Sequence, residues 1–265
     1  MNYSTSKSQE NKLQAKKRFG QNFLSDENII KKIINIVQPK DKNILEIGPG
    51  RGALSKFLVK EAKDFKAFEL DKDMIACLKE NKILTTNQII EGDFLDADIS
   101  QYKGYTIVGN IPYNITSDII LKIFDYHMLF DNVILMVQDE VAQRLVAKIN
   151  SPEYSKLSVT AQYLAIVKKE LFVKNTCFIP TPKVNSAIVS FKFKHQENDN
   201  YQELKEFFKI CFNSRRKKLT FALNQKFTKD SIAQAYRENK LSENTRIQEL
   251  NIEQIVNIFY LLKNK

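Results

Sequence analysis

Tryptophan is absent from this chain of 265 residues, and histidine occurs only at His127 and His195. With just three scattered cysteines (Cys77, Cys177 and Cys211) there is no basis for a His/Cys metal centre, and no metal is expected. An odd number of widely spaced cysteines forms no disulfide framework and suits a reducing compartment. Long apolar runs are missing as well. The longest stretch without a charged residue covers 14 positions, 104–117, and contains Gly109, Pro112 and two asparagines. A membrane-spanning helix needs about 20 mostly apolar residues. The polar N-terminus lacks the apolar core of a secretory signal. The expectation is a soluble, cytoplasmic, monomeric protein, and 43% hydrophobic with 27% charged residues excludes a mostly disordered chain.

Glycine is scarce and unevenly placed. All seven fall between residues 20 and 109, and none follows. Three of them, Gly48, Gly50 and Gly52, lie within five positions. Glycine supplies positive φ and lets a ligand approach the backbone, so this cluster marks a contact with something other than protein.

Charge is also concentrated. The net charge is +10, yet residues 1–24 carry +4 and residues 209–229 carry +7 with no acid. Two such blocks suit a polyanion, most directly nucleic acid. A basic tail and one solvated helix face would give the same arithmetic.

Hydrophobic periodicity gives strands at 43–47, 65–70, 87–91, 105–109 and 132–138, alternating with helical patterns at 26–37, 52–62, 72–81, 116–126 and 139–149. Two further strand candidates, 165–173 and 185–193, flank a proline-containing loop. Four helical patterns close the chain, at 201–213, 217–226, 230–238 and 251–263. The expected fold is α/β, a Rossmann-like open, mostly parallel sheet with helices on both faces, followed by a small all-helical domain. The expected organisation is a basic arm over 1–25, a ligand-binding domain over 26–197 and a helical RNA-binding domain over 198–265.

The run Glu46-Ile-Gly48-Pro-Gly50-Arg-Gly52-Ala53 follows the first core strand and opens a helix. An open α/β sheet binds nucleotide-like ligands there. Glu69 lies 21 residues after Gly48, where an acid grips ribose hydroxyls. The turn alone fits a nicotinamide dinucleotide or an adenosyl ligand. Asp93, after the next strand, suits the amino group of an adenine and favours S-adenosylmethionine; helix capping is the alternative role for both acids.

Asn110-Ile-Pro112-Tyr113-Asn114 follows the fourth strand. An exocyclic adenine amine is a poor nucleophile because its lone pair is delocalised into the ring. The Asn110 side-chain carbonyl and the Ile111 backbone carbonyl are suited to accept its two N–H bonds, and Tyr113 to stack on the purine. A dehydrogenase has no use for this motif. Phe178, in Phe178-Ile-Pro180-Thr-Pro182, is either a second aromatic for the base or a core anchor for the loop.

In these motifs the chain resembles the KsgA-type small-subunit ribosomal RNA adenine N6,N6-dimethyltransferases. The resemblance also rests on Lys17-Arg18-Phe19-Gly20-Gln21-Asn22-Phe23-Leu24, on residues 138–145 (QDEVAQRL), on Phe178 to Ser186 and on Arg215-Arg216-Lys217-Lys218-Leu219. It implies a class I methyltransferase domain that uses S-adenosylmethionine, with Asn22, Leu24, Gly48, Gly50, Glu69, Asp93 and Asn110 lining the cofactor site. It implies Asn110, Pro112, Tyr113 and Phe178 as the catalytic set. Lys16, Lys17, Arg18, Arg215, Arg216, Lys217 and Lys218 are the expected RNA contacts. The implied substrate is a pair of adjacent adenines in the 3′-terminal hairpin of 16S rRNA in the immature 30S subunit, each dimethylated. Two alternatives stand beside it: a 23S rRNA adenine methyltransferase of the macrolide-resistance type, and a non-catalytic RNA-binding assembly factor. Residues 149–157 depart from the family pattern by lacking a usual glycine, and Ile111 stands where many members have Leu.

Overall fold

The computed structural model describes residue 16 and residues 20–195 and 200–263. They form two compact units. One comprises the chain up to Ala142 together with Lys168–Phe193; the other takes Gln143–Val167 and the chain from Lys194 onward. In chain order the strands are β1 (Phe23–Leu24), β2 (Asn43–Ile47), β3 (Asp64–Glu69), β4 (Ile89–Glu91), β5 (Thr106–Asn110), β6 (Asn132–Gln138), β7 (Ala165–Val173), β8 (Phe178–Ile179) and β9 (Ser186–Phe193).

Seven strands form one sheet in the order β4-β3-β2-β5-β6-β9-β7, while β1 and β8 pair separately. β2 runs parallel to both β3 and β5, which puts Glu46 between Ala67 and Val108. β6 is parallel to β5 and antiparallel to β9. From β2 the chain winds outward through β3 and β4, then returns to β5 on the other side. That reversal opens a crevice at the carboxyl ends of β2 and β5, where such sheets bind ligands. Strand β6 reads as a continuous apolar run because it is covered on both faces, with Val133 to Val137 all buried.

Helices α1 (Glu27–Val37), α2 (Ser55–Glu61), α3 (Lys72–Glu80), α4 (Thr116–Asp125) and α5 (Asp139–Leu145) follow the expected alternation. The Asp26 side chain caps α1 by accepting from Asn28 and Ile29 N–H, and Ile30, Ile33 and Val37 form its buried stripe. α5 stops four residues short of the expected end. There the Gln162 amide donates to the Leu145 and Ala147 carbonyls at 3.0 and 2.9 Å, which satisfies groups that a longer helix would have used.

The second unit contains α6 (Lys156–Leu164), α7 (Tyr201–Phe212), α8 (Leu219–Leu223), α9 (Lys229–Glu238) and α10 (Ile252–Lys263). Helix α6 has no counterpart in the sequence reading. Leu157 through Ala161, Tyr163 and Leu164 are all buried, so α6 has no polar face and no periodic stripe to detect. Tyr163 meets Phe208 of α7 edge-on at 5.9 Å, and Tyr154 donates its hydroxyl to the Leu250 carbonyl at 3.0 Å. These contacts draw residues 143–167 into the helical unit, an excursion that a single boundary near residue 197 does not anticipate. Asn150 takes φ +65° in the departing segment, a left-handed conformation that asparagine tolerates better than most residues. Among the described residues no helix is long and apolar enough to cross a membrane.

Candidate active site

A cavity of about 360 Å³ opens at the carboxyl ends of the strands in the first unit. Its floor is the glycine turn after β2. Gly48 has φ +67°, and a Cβ there would find only the Asn110 carbonyl, 4.0 Å away. The turn therefore needs glycine for its backbone angle and leaves an open cradle in front of the peptide. Gly50 lies against the N-terminal segment instead: a Cβ there would come within 3.1 Å of the Phe23 ring, which Arg51 covers at 4.2 Å.

Glu69 ends β3 inside the cavity wall and is 7% exposed. One carboxylate oxygen accepts from Gly50 N–H at 3.0 Å and the other from Asp71 N–H at 2.9 Å. Burial pushes its pKa up, and these two backbone donors act against that rise. The acid thus splints the glycine turn to the next loop from within the cavity wall. Asp93 follows β4 and lines the same cavity. Its Oδ1 accepts from Leu95 N–H at 2.8 Å in a turn, and no helix begins there for it to cap. The Lys122 ammonium of α4 donates to the Leu95 and Ala97 carbonyls and holds that loop.

Glu46 is a cavity-lining acid to which the sequence reading assigned no role, although an acid inside the apolar strand NILEI was a usable signal. It is 2% exposed, with the Ser55 hydroxyl donating to it at 2.6 Å. Burial pushes its pKa up to about 8 from an ordinary value of 4.5, and Glu69 adds to the rise. Between those two values the folded protein holds a proton that the unfolded chain has lost, so stability falls as pH rises through that window. Thermal melts from pH 5 to 8 will show a downward slope in the wild type that Glu46→Gln flattens.

Asn110 ends β5 with its amide fixed. Its Nδ2 donates to the Asn22 backbone carbonyl at 3.0 Å. Only the NH₂ can pair with a carbonyl, so the side-chain oxygen is the atom left for the cavity. The loop 112–116 is held by Thr116, whose hydroxyl donates to the Pro112 carbonyl at 3.0 Å. Tyr113 hydrogen-bonds through its hydroxyl to the fully buried Ser186 at 2.6 Å. Burial raises the Tyr113 pKa, against the Ser186 contact, so the ring is a neutral phenol held at its far end. Ser186 closes the Phe178–Ser186 run noted in the sequence, and there it seats Tyr113.

Asn22 and Leu24 lie in the N-terminal segment that walls the cavity. Lys16, expected on RNA, is engaged elsewhere. Its ammonium pairs with Asp71 at 2.6 Å and Asp73 at 2.7 Å, and Gln21 also donates to Asp71 at 2.9 Å. Burial works to raise the Asp71 carboxyl, but hydrogen bonds from Lys16 and Gln21 outweigh it and hold it below the usual carboxylate range. Each phosphate contact contributes about 0.7–0.9 to the log–log salt slope of nucleic-acid binding. Lys16→Gln is therefore expected to leave the salt slope of nucleic-acid binding unchanged, as filter binding will read. Lys17 and Arg18 lie outside the described residues.

Phe178 does not line the cavity. It is 1% exposed, pairs with Leu24 across β1 and β8, and packs in the core, which matches its role as a loop anchor rather than a stacking face. In the second unit, Arg216, Lys217 and Lys218 are exposed. Arg215 is turned inward, donating to the Pro152 and Tyr154 carbonyls at 2.8 and 2.7 Å. Among the described residues no group of three or more His, Cys, Asp or Glu side chains is arranged to hold a metal ion.

Comparison with known proteins covers nearly the whole chain. The profile of the family described as "Ribosomal RNA adenine dimethylase" matches residues 12–264. A protein of Mycoplasmopsis synoviae named "Ribosomal RNA small subunit methyltransferase A" is 50% identical over 252 residues, 94% of this chain and 97% of its own length. A protein of the same name from Mycoplasma mobile is 43% identical, covering 93% of this chain and 98% of its own. Among solved structures, a dimethyladenosine transferase from Plasmodium falciparum superposes with a TM-score of 0.76 at 26% identity, over 89% of this chain and 95% of that one. A 23S rRNA methyltransferase, ErmE, shares the fold with a TM-score of 0.68 at 24% identity, over 91% and 100% of the two chains.

Proposed function

The chain belongs to the ribosomal RNA adenine dimethylase family, and from that membership we propose that it places two methyl groups on N6 of each of two adjacent adenines in the 3′-terminal hairpin of 16S rRNA, within the immature 30S subunit. The observation that carries this reading is the fixed Asn110 amide: with Nδ2 held by Asn22, the oxygen is a preset acceptor for an amine N–H.

The residues present fit S-adenosylmethionine as the donor. The cavity is within the size range of a small-molecule site, about 300–1,000 Å³. The cradle at Gly48 admits the methionine part, Glu69 the ribose hydroxyls and Asp93 the adenine amino group. When bound, the cofactor supplies an electrophilic methyl on a sulfonium centre. The protein's own contribution is to position and polarise. Asn110 Oδ1 and the Ile111 carbonyl accept the two N–H bonds of the target amine in the first transfer, and one of them accepts the single remaining N–H in the second. In each, the nitrogen lone pair takes the methyl as its bond to sulfur breaks, and the proton then shed by nitrogen passes to solvent, so no histidine base is required. Tyr113, held by Ser186, stacks on the purine and fixes the angle of attack. Asparagine is neutral and so does not trap the cationic cofactor as a carboxylate would. Arg216, Lys217 and Lys218 meet phosphates, while Arg215 supports them from behind.

Transfer of labelled methyl groups to unmethylated 30S particles and, in parallel, to unmethylated 23S rRNA tests the substrate. Label on the 30S particles alone supports the proposal. Label on 23S rRNA alone assigns the chain to the large-subunit branch and overturns it.

A further inference from the structure

Residues 209–229 carry seven cations and no acid, and among them stands one large exposed hydrophobic side chain, Phe221, at 44% exposure. Helix α8 buries Leu219, Ala222 and Leu223, which leaves the Phe221 ring on its outer side. The Lys217 ammonium sits 3.7 Å from the ring centroid. A cation over one face of an exposed ring leaves the other face for a flat partner.

The backbone carrying the ring is tied down by hydrogen bonds. Lys217 N–H donates to the Ser214 carbonyl at 2.8 Å, Phe221 N–H to Lys218 at 3.0 Å and Leu219 N–H to Thr245 at 2.9 Å. Arg215 clamps the same turn to Pro152 and Tyr154 with its guanidinium. Exposed Arg216, Lys217 and Lys218 therefore lie within five residues of an exposed ring carried on a hydrogen-bonded backbone. A surface meant only for solvation, or only for electrostatic contact with phosphates, has no need of an exposed phenylalanine.

We infer that Phe221 is a stacking platform for an unpaired base of the rRNA substrate, with Arg216, Lys217 and Lys218 neutralising the flanking phosphates. This rests on the reading of the chain as an rRNA methyltransferase and adds a second base contact, separate from the target adenine at Tyr113. Base–aromatic stacking is sequence-tolerant, so the platform selects single-stranded over paired RNA rather than one base over another.

Because the chain has no tryptophan, Phe221→Trp creates a single fluorescent reporter in the full-length protein. Its emission is expected to be quenched by a hairpin RNA with an unpaired loop and unchanged by a blunt RNA duplex of equal length. Phe221→Leu is expected to weaken binding of the hairpin about ten-fold, within the range for losing one stacked base. The salt slope stays the same, since no cation is removed. The side chain lies outside the core, so melting temperature serves as the folding control. Unaltered emission with the hairpin, equal quenching by the duplex, or wild-type affinity in Phe221→Leu overturns the inference. Methyl transfer by the wild type to 30S particles, measured alongside, separates a failure of this inference from a failure of the functional reading.

Discussion

Asn110→Ala will reduce single-turnover methyl transfer by about a thousand-fold while S-adenosylmethionine affinity stays within a few-fold of the wild type. The asymmetry follows from where the side chain points. Its NH₂ donates to the Asn22 carbonyl, so what alanine removes from the cavity is the acceptor oxygen, which the proposed function assigns to the incoming amine. Removing one preorganised polar group from a reacting centre costs about 10²–10³ in rate, and loss of the Asn22 contact adds misplacement of the cavity wall. The proposed cofactor contacts at Gly48, Glu69 and Asp93 stay in place. Rapid-quench transfer assays with calorimetric titration of S-adenosylhomocysteine separate the two quantities. Equal loss of both would make Asn110 a cofactor or structural residue.

Glu69→Gln produces the opposite pattern. Its two oxygens accept from Gly50 and Asp71 N–H, and an amide can replace only one of them as an acceptor. The other N–H then faces an NH₂ group in a buried wall, an unsatisfied donor that costs about 1–3 kcal/mol. A ribose hydroxyl acceptor is lost at the same time. Cofactor affinity is expected to fall about 100-fold, while transfer at saturating cofactor changes much less. A few degrees' loss in melting temperature should accompany it, since the glycine turn loses its splint even in the free protein. Unaltered cofactor affinity would remove Glu69 from the site.

The sheet and the cavity were legible because each depends on local signals. The strands alternate with amphipathic helices, and the two cavity-lining acids sit at the last residue of β3 and just after β4. The acceptor motif is likewise one contiguous run, 110–114. What the sequence concealed depends on long-range contacts. Helix α6 is buried on nearly every side, so no periodic stripe marks it. Lys16 reads as part of a basic arm, and only the fold brings Asp71 and Asp73 to it. Arg215 reads as one cation of four in a row, yet it is the one drawn inward by two carbonyls some sixty positions away. Phe178 shows the same limit from the other side. An aromatic beside two prolines has the sequence signature of a base-stacking loop, and only the pairing of β1 with β8 shows that its ring belongs to the core. The Ser186 contact could have been guessed from the motif but not assigned, because nothing in the chain order ties residue 186 to residue 113.

The central claim is that the Asn110–Tyr113 segment beside the glycine turn positions adenine N6 of small-subunit rRNA to take methyl groups from S-adenosylmethionine. Its most direct test is nucleoside analysis of the 3′-terminal 16S fragment from unmethylated 30S particles incubated with the protein and S-adenosylmethionine. The account predicts N6,N6-dimethyladenosine at two neighbouring positions with the wild type and none with Asn110→Ala. Unmodified adenines with a wild-type protein that binds the cofactor, or undiminished dimethylation by Asn110→Ala, would contradict it.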